Sequence, residues 1–465
     1  MEKQYKKTNL LQENDYKYYL QDIESPELFR DMFSYEEVPK VRFNHRVVPM
    51  YFPDEIWITD TTFRDGQQAR MPFTTEQIVD LYKLMHKLGG EKGIIRQSEF
   101  FVYTENDRKA LEECQALGYK YPEITTWIRA SKKDFEMAKA MGIKETGILV
   151  SCSDYHIFNK MGLNRKQAMD KYLGIVKDAL DMDITPRCHL EDITRADFYG
   201  FVVPFVNEVM KLGRQSGKQI KIRMCDTLGY GVTYPGVSLP RSVPGLVYGL
   251  RFYSGVPSEC LEWHGHNDFY KVVCNTATAW LYGASGVSCS LLGIGERTGN
   301  CPLEAMAIEY CQLKGKTDGM DLSVITEIAE YFENTMGEII PERTPFVGRN
   351  FNSTRAGIHA DGMLKNEEIY NIFNTEKILN RPVGILIGQH SGAAGIAHWV
   401  NTHFHLKDSE QMNKQDALIL LLKDEVDKEY ASGRTTAFSD DELEKLLKSV
   451  DREGYYKLAL HMENK

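Results

Sequence analysis

Apolar and β-branched runs recur along this chain near residues 57–63, 93–102, 122–128, 146–151, 183–190, 219–225, 260–265 and 287–292. Between most of them lie stretches with helical periodicity: Thr75–Leu88, Glu105–Leu117, Lys132–Met141, Arg165–Leu180, Ala196–Leu212, Phe269–Tyr282 and Leu303–Leu313. Alternation of this kind predicts a parallel sheet with a helix after each strand. Eight units in about 260 residues fit a closed (β/α)8 barrel, a TIM barrel, better than an open doubly wound sheet. The interval 229–259 is rich in Gly and Pro and long for a plain connection, and reads as a lid or specificity loop.

The barrel pattern places a catalytic domain over residues 51–317, preceded by an extension over 1–50 that carries no nameable chemistry. Composition shifts at Lys316-Thr-Asp-Gly-Met-Asp321, so residues 318–465 form a smaller, mainly helical C-terminal region. It opens on an amphipathic helix over Leu322–Ile339.

Charge and cysteine usage narrow the function classes. A net charge of −10 over 465 residues argues against nucleic acid or an anionic membrane as partner. An anionic ligand must then be met by a local cluster of Arg and Lys. The nine cysteines form no CxxC pair and sit mostly in apolar runs, as buried thiols in a reducing, cytoplasmic compartment would. No apolar run has the length of a membrane span.

In such a barrel the chemistry gathers at the C-terminal ends of the strands. The first run ends in Arg64-Asp65-Gly66, with Gly66 read as permitting a sharp exit and Thr74 or Thr75 as capping the next helix. The seventh ends in His264-Gly-His266, whose imidazoles, two residues apart, share a face. Two imidazoles and the carboxylate of Asp65 make a divalent metal site with open positions, for Mn, Mg, Co or Zn. Asn300, in Gly293-Ile-Gly-Glu-Arg-Thr-Gly-Asn300, is placed to add a side-chain oxygen, and Glu296 to pair with Arg297. Alternation puts Arg187, His189 and Glu191 of the fifth strand on one face, which suits anion binding and proton movement. Asp192 or Thr194 is read as a cap, and Thr227 as a hydrogen-bonding or capping hydroxyl. Arg64, Arg129 and Arg187 facing one cavity would mark a di- or polyacid ligand.

These motifs, Thr61-Thr-Phe-Arg-Asp-Gly-Gln-Gln, Ser151-Cys-Ser-Asp-Tyr-His, Arg187-x-x-x-Glu-Asp, Asp226-Thr-x-Gly, His264-x-His-Asn-Asp, Gly293-x-Gly-Glu-Arg-x-Gly-Asn, Ala356-Gly-Ile-His and Gly388-x-His-Ser-Gly, run in order over residues 57–395. Together they resemble the metal-dependent Claisen-condensing family that includes 2-isopropylmalate, homocitrate and (Re)-citrate synthases. The resemblance implies metal ligation by Asp65, His264 and His266 with Asn300 close by, Arg64 at the developing enolate or keto oxygen, and Glu191 binding or orienting substrate. It implies that His359 and Tyr370, on a C-terminal region that crosses to the partner barrel of a homodimer, help to form the acetyl-CoA enolate. The chain departs from the family pattern at Gln67 (usually Glu), at His189 (usually Ser), and at Gln97-Ser-Glu-Phe-Phe, where the side chain of the 2-oxo acid would be sensed. The whole-chain pattern lies nearest the citrate-forming branch. This implies acetyl-CoA and oxaloacetate as substrates, with Gln97, Arg129, Arg187, His189 and Thr227 around the oxo acid. Homocitrate, isopropylmalate or citramalate synthesis is the alternative. A lyase of the hydroxymethylglutaryl-CoA type, with Cys301 as its catalytic thiol, is the more remote one.

Overall fold

Eight parallel strands close on themselves: β1 (Trp57–Asp60), β2 (Ile95–Phe100), β3 (Glu123–Ile128), β4 (Glu145–Ser151), β5 (Thr185–Glu191), β6 (Lys221–Asp226), β7 (Leu261–Gly265) and β8 (Gly286–Cys289). β1 pairs with both β2 and β8, so the sheet has no edge. The computed structural model describes residues 17–129, 131–354, 359, 362–363 and 365–463. The chain divides into two units, Met1–Leu322 and Ser323–Lys465.

Helices α1 (Thr75–Gly89), α2 (Glu105–Ala116), α3 (Lys132–Ala140), α4 (Arg165–Asp181), α5 (Val203–Ser216), α6 (Val243–Ser254), α7 (Val272–Tyr282) and α8 (Leu303–Lys314) follow the strands in turn. α1 begins where Thr74 caps it: Thr74 Oγ1 accepts the Gln77 N–H at 3.2 Å, and Gln77 Oε1 accepts the Thr74 N–H at 3.0 Å. α5 starts later than its periodicity predicts, because a 3₁₀ turn at Ile193–Arg195 and a wider turn at Phe198–Val202 precede it. Pro244, Gly245 and Gly249 hide α6 from a propensity reading.

Strand parity separates two interiors. On β5, β6 and β7 the residues Cys188, Leu190, Ile222, Met224 and Trp263 are buried between sheet and helices. Their neighbours Arg187, His189, Lys221, Arg223, Glu262 and His264 point into the barrel, where branched apolar layers are the usual filling. Arg223 donates to Glu99 at 3.0 and 3.1 Å and to Glu262 at 3.1 and 3.2 Å. Arg187 lies 3.4 Å from both Glu99 and Glu262 and also donates to Glu145, which Lys221 meets at 2.8 Å. Burial would raise the Glu145 and Glu262 carboxyls, yet their cationic partners hold each at about 2.

The lid expected over 229–259 is instead a clasp plus α6. Residues 236–241 bind the N-terminal extension: Gly236 C=O accepts the Asn44 N–H at 2.9 Å, and Arg241 donates to Lys40 C=O at 2.6 Å. A side chain at Gly236, where φ is +75°, would sit 2.9 Å from His45 Cα. Further up the extension, Glu27 N–H reaches Asp154 at 2.7 Å and Tyr18 stacks on Tyr199 at 4.5 Å. Residues 1–16 of the extension lie outside the described residues.

In the second unit a short helix, Val324–Glu330, is followed by a wider turn at Tyr331–Thr335 rather than by one helix to Ile339. Its core packs Ile396, Trp399, Val400, Ile419, Leu422, Val426, Phe438, Leu443 and Leu447 from helices Ala393–His403, Ala417–Ala431 and Asp440–Val450 and the turn before the last.

Replacing Arg223 with Met leaves two buried carboxylates without their main partner. The variant is expected to lose about 3–5 kcal/mol of stability in urea unfolding; a loss below about 1 kcal/mol would show that the interior pairs do not hold the barrel.

Candidate active site

β1 ends at Asp60, three residues short of the run that predicted it, because the chain turns at Thr61. Thr61 C=O accepts the N–H groups of Arg64, Asp65 and Gly66 at 3.2, 2.8 and 3.2 Å. Asp65 therefore comes from this turn and not from the strand tip. Gly66 begins a 3₁₀ turn without a positive φ, so the expected glycine-dependent exit is not what bends the chain here. Asp60 braces the turn from below by accepting from Thr62 N–H at 3.0 Å and Ser98 Oγ at 2.6 Å.

His264 lies in β7, and His266 follows it in a bridge with Asn300. Their rings are perpendicular, with centroids 5.1 Å apart. Both Nε2 atoms approach Asp65 Oδ2, at 3.4 Å from His264 and 3.8 Å from His266. Ser288 Oγ contacts His264 Nδ1 at 3.1 Å and so orients the ring. Arg64 Nη1 donates to Asp65 Oδ1 at 2.9 Å. Burial lowers both imidazoles, His264 to about 3, which leaves them neutral. Burial works against ionisation of Asp65, but Arg64 and the two imidazoles outweigh it and hold the carboxyl well below its usual range.

The loop after β8 carries Asn300, whose Nδ2 donates to Asp65 Oδ2 at 2.8 Å. A side chain at Gly295 would lie 2.6 Å from Asn300 Oδ1, and Gly299, at φ +92°, would place a Cβ 2.3 Å from Gly293 C=O. These glycines let the loop fold over its own asparagine. Glu304, buried at the start of α8, accepts the Leu292 N–H at 3.1 Å and ties the loop down. Arg297 pairs with Asp268 at 2.9 Å, not with Glu296, and donates to Thr227 C=O at 2.6 Å.

This donor set fits a divalent cation. The three ligand groups are buried and their candidate atoms lie within 4.8 Å of one another. A bond length of about 2.0–2.2 Å puts neighbouring ligands ~3–3.5 Å apart, near the separations seen. Asn300 turns Nδ2 toward Asp65 Oδ2 and leaves Oδ1 buried with no hydrogen-bond partner among the described residues, so it is the amide turned over that would offer its oxygen to a cation.

The other expected site residues fall into separate groups. Glu191 accepts from Ser151, from His156 Nδ1 at 3.0 Å and from Lys160 at 3.2 Å. Burial opposes its ionisation, but His156, Ser151 and Lys160 hold it at about 2. Arg187 and Gln97 are bonded to each other inside the barrel, where Gln97 also donates to Glu123 and Glu145 at 3.2 and 3.3 Å. Arg129 is 71 % exposed, lies 3.7 Å from Asp134 and stacks over Tyr103 at 4.5 Å. The expected convergence of Arg64, Arg129 and Arg187 is thus replaced by Arg64 alone beside the Asp65, His264 and His266 cluster. Thr227 Oγ1 accepts the Asp192 N–H at 2.8 Å. Neither Asp192 (φ +66°) nor Thr194 caps a helix; Thr194 donates to Asp226 at 2.8 Å. His359 and Tyr370, in the second unit, lie side by side with ring centroids 4.4 Å apart. Ala356, Gly357 and Ile358 of that motif lie outside the described residues.

Glu99 was missed as a site residue. Fully buried, it lies 3.8 Å from Arg64 Nε and 3.5 Å from His189 Nε2 and accepts from Arg223. Its signal was available: a carboxylate at an inward position of an apolar strand needs a cation across the barrel. Cys301 is fully buried against Cys289, which removes it as an accessible catalytic thiol. Seven of the nine cysteines are buried, and all nine are free. Among the described residues no helix is long and apolar enough to cross a membrane.

Comparison with known proteins matches residues 55–331 to the HMGL-like family model and residues 346–426 to the homocitrate synthase post-HMGL domain-like model. The chain is 59 % identical to a citrate (Re)-synthase of Clostridium kluyveri over 94 % of this chain and 96 % of that protein. It is 56 % identical to a citrate (Re)-synthase of Syntrophus aciditrophicus over 92 % of this chain and 68 % of that one. A 2-phosphinomethylmalate synthase of Streptomyces hygroscopicus is 37 % identical over 93 % and 98 % of the two chains.

Two outcomes are expected from this geometry. Asp65→Asn and His264→Ala should each weaken Mn²⁺ binding at least ~100-fold in calorimetric titration; unchanged affinity would place the cation elsewhere. Burial pushes Glu304 up to about 7 from an ordinary 4.5. Ionising it in the folded state therefore costs stability that grows as pH rises from 4.5 to 7, about 3 kcal/mol in all. Glu304→Gln should gain on the wild type by roughly that amount between pH 4.5 and 8 in denaturant melts; parallel pH profiles would contradict it.

Proposed function

We propose, on the premise that this chain belongs to the HMGL-like family and within it to the citrate (Re)-synthases, that it condenses acetyl-CoA with oxaloacetate to citryl-CoA, whose thioester water hydrolyses to give citrate and CoA. The observation that carries the reading is the convergence of Asp65, His264 and His266, with Arg64 on the same carboxylate. A divalent ion held by these three groups and Asn300, with Mn, Co or Mg the expected choice, supplies Lewis-acid polarisation of the keto oxygen of the oxo acid.

The chain's own groups do the rest. Two neutral imidazoles and one carboxylate offset by Arg64 leave the ligand set without net charge, so an anionic oxo acid is not repelled. The Arg64 guanidinium stabilises the oxygen that gains charge as the new C–C bond forms. His359, with Tyr370 beside it, is the proposed base for the methyl proton of acetyl-CoA. Glu191, held ionised and oriented by Ser151, His156 and Lys160, positions the substrate. A homodimer with exchange of the second unit is the proposed assembly.

The test is thiol release from acetyl-CoA in the presence of single 2-oxo acids, with and without chelator. Release with oxaloacetate that stops on chelation and returns with Mn²⁺ is the expected result. Equal turnover with 2-oxoisovalerate or 2-oxoglutarate would overturn the assignment of substrate, and chelator-resistant turnover would overturn that of the metal.

A further inference from the structure

The loop that leaves His266 runs through Tyr270 and Lys271 into α7, and neither side chain has a role in the site described so far. Tyr270 is 96 % exposed, and its backbone takes φ +56°. Left-handed backbone is unfavourable for a bulky side chain, and an aromatic ring in water forgoes the burial it usually gains. The loop is not loose. Asn267 N–H donates to Gly299 C=O and Tyr270 N–H to Asn267 C=O, both at 3.0 Å. Arg297, from the loop after β8, holds Asp268 at 2.9 Å. Gly229, at φ +66°, lies so close that a side chain there would meet His266 C=O at 2.8 Å. A fixed turn thus presents the ring to solvent, at a conformational cost that glycine at 270 would not incur.

Lys271 is half-buried, with Nζ 5.8 Å from the ring centroids of both Phe269 and Tyr234. It makes no ion pair among the described residues, and the carboxylate of its own loop, Asp268, is taken by Arg297. Two aromatic rings steady an ammonium without neutralising it, so its charge stays available to an anion. In a chain of net charge −10, anion binding must rest on such local cations. A ligand that meets both residues has a planar ring to stack on Tyr270 and an anionic oxygen for Lys271. An adenine nucleotide has both. Acetyl-CoA carries one at the far end of a long flexible arm from its thioester, and Tyr270 stands at the solvent end of the loop that starts at His266.

We infer that Tyr270 and Lys271 form the docking point for the adenine nucleotide of acetyl-CoA, with the base stacked on Tyr270 and a phosphate against Lys271. The inference rests on the proposed synthase activity and assigns the nucleotide end of its thioester substrate.

The test compares acetyl-CoA with S-acetylpantetheine, which keeps the thioester and the arm but lacks the nucleotide, at saturating oxaloacetate and Mn²⁺. Tyr270→Ser and Lys271→Ala should each raise KM for acetyl-CoA roughly 5–100-fold, with kcat and the KM for oxaloacetate within a few-fold of wild type. Their kcat/KM for S-acetylpantetheine should stay at the wild-type value. Tyr270→Phe, which keeps the ring, should retain most of the affinity for acetyl-CoA. Tyr270→Gly should unfold at higher urea than the wild type while losing acetyl-CoA affinity as Tyr270→Ser does. An unchanged KM for acetyl-CoA in Tyr270→Ser and Lys271→Ala would overturn the docking point, as would an equal loss on the two thioesters. Loss of ATP binding in these variants with the acetyl-CoA KM intact would mark a site for free nucleotide and overturn the assignment to acetyl-CoA. Should one variant fail to fold, the other decides alone. A wild type that releases no CoA with oxaloacetate would refute the synthase reading itself. Calorimetric binding of CoA to wild type and Tyr270→Ser then judges the docking point separately, and equal affinities would refute it.

Discussion

One guanidinium organises the catalytic face. Arg64, 8 % exposed, gives one edge to Asp65 at 2.9 Å, turns another toward Glu99 at 3.8 Å and lays its plane over Trp127 at 4.7 Å. Only a flat, permanently charged fork serves three neighbours in this way; an ammonium would meet one of them as a point charge. Asp65 depends on it most. Its carboxylate is buried beside two neutral rings, and in a site of low polarity an uncompensated negative charge would protonate instead of remaining available to a cation.

That arrangement sits on a barrel whose interior is itself ionic. Arg187, Lys221 and Arg223 face Glu99, Glu145 and Glu262, three charges of each sign, so these six groups add no net charge beneath the site. Buried pairs of this kind contribute little net stability compared with apolar packing, although breaking one is costly. The apolar burial that stabilises the barrel lies on the other parity of the same strands, at residues such as Ile222, Met224 and Trp263. Chemistry and stability are therefore divided between alternate residues, which lets polar groups accumulate inside without dissolving the fold.

This division explains what could be read from the sequence alone. Eight strands and the His264-x-His266 pair were legible because both follow from local periodicity. The approach of Asp65 to the two imidazoles was legible, although its place in a turn and not at a strand tip was not. The depth of an inward residue is invisible in sequence. Arg187 and His189 share a face as expected, yet Arg187 lies among the interior pairs while His189 rises to the level of the metal ligands. Glu99 meets Arg223 across 124 positions of chain, a pairing that no local pattern announces. The contact of residues 236–241 with the N-terminal extension was not legible, because Gly236 only acquires meaning once His45 is seen against it.

The departures from the family pattern acquire a physical sense when placed in the barrel. Gln67, where Glu is usual, donates to Phe63 C=O and accepts the Phe73 N–H at 3.2 Å. It braces the turn that carries Asp65 and faces no ligand atom, so the lost charge is a local matter. The other two departures are one feature. His189 on β5 lies 3.5 Å from Glu99 on β2, and Arg187 ties that carboxylate to Gln97 on the same strand as Glu99. A histidine in place of serine adds a bulky neutral ring beside Glu99, and the glycine at 147 makes room for it. Strands far apart in sequence thus carry the two departures at a place where they touch.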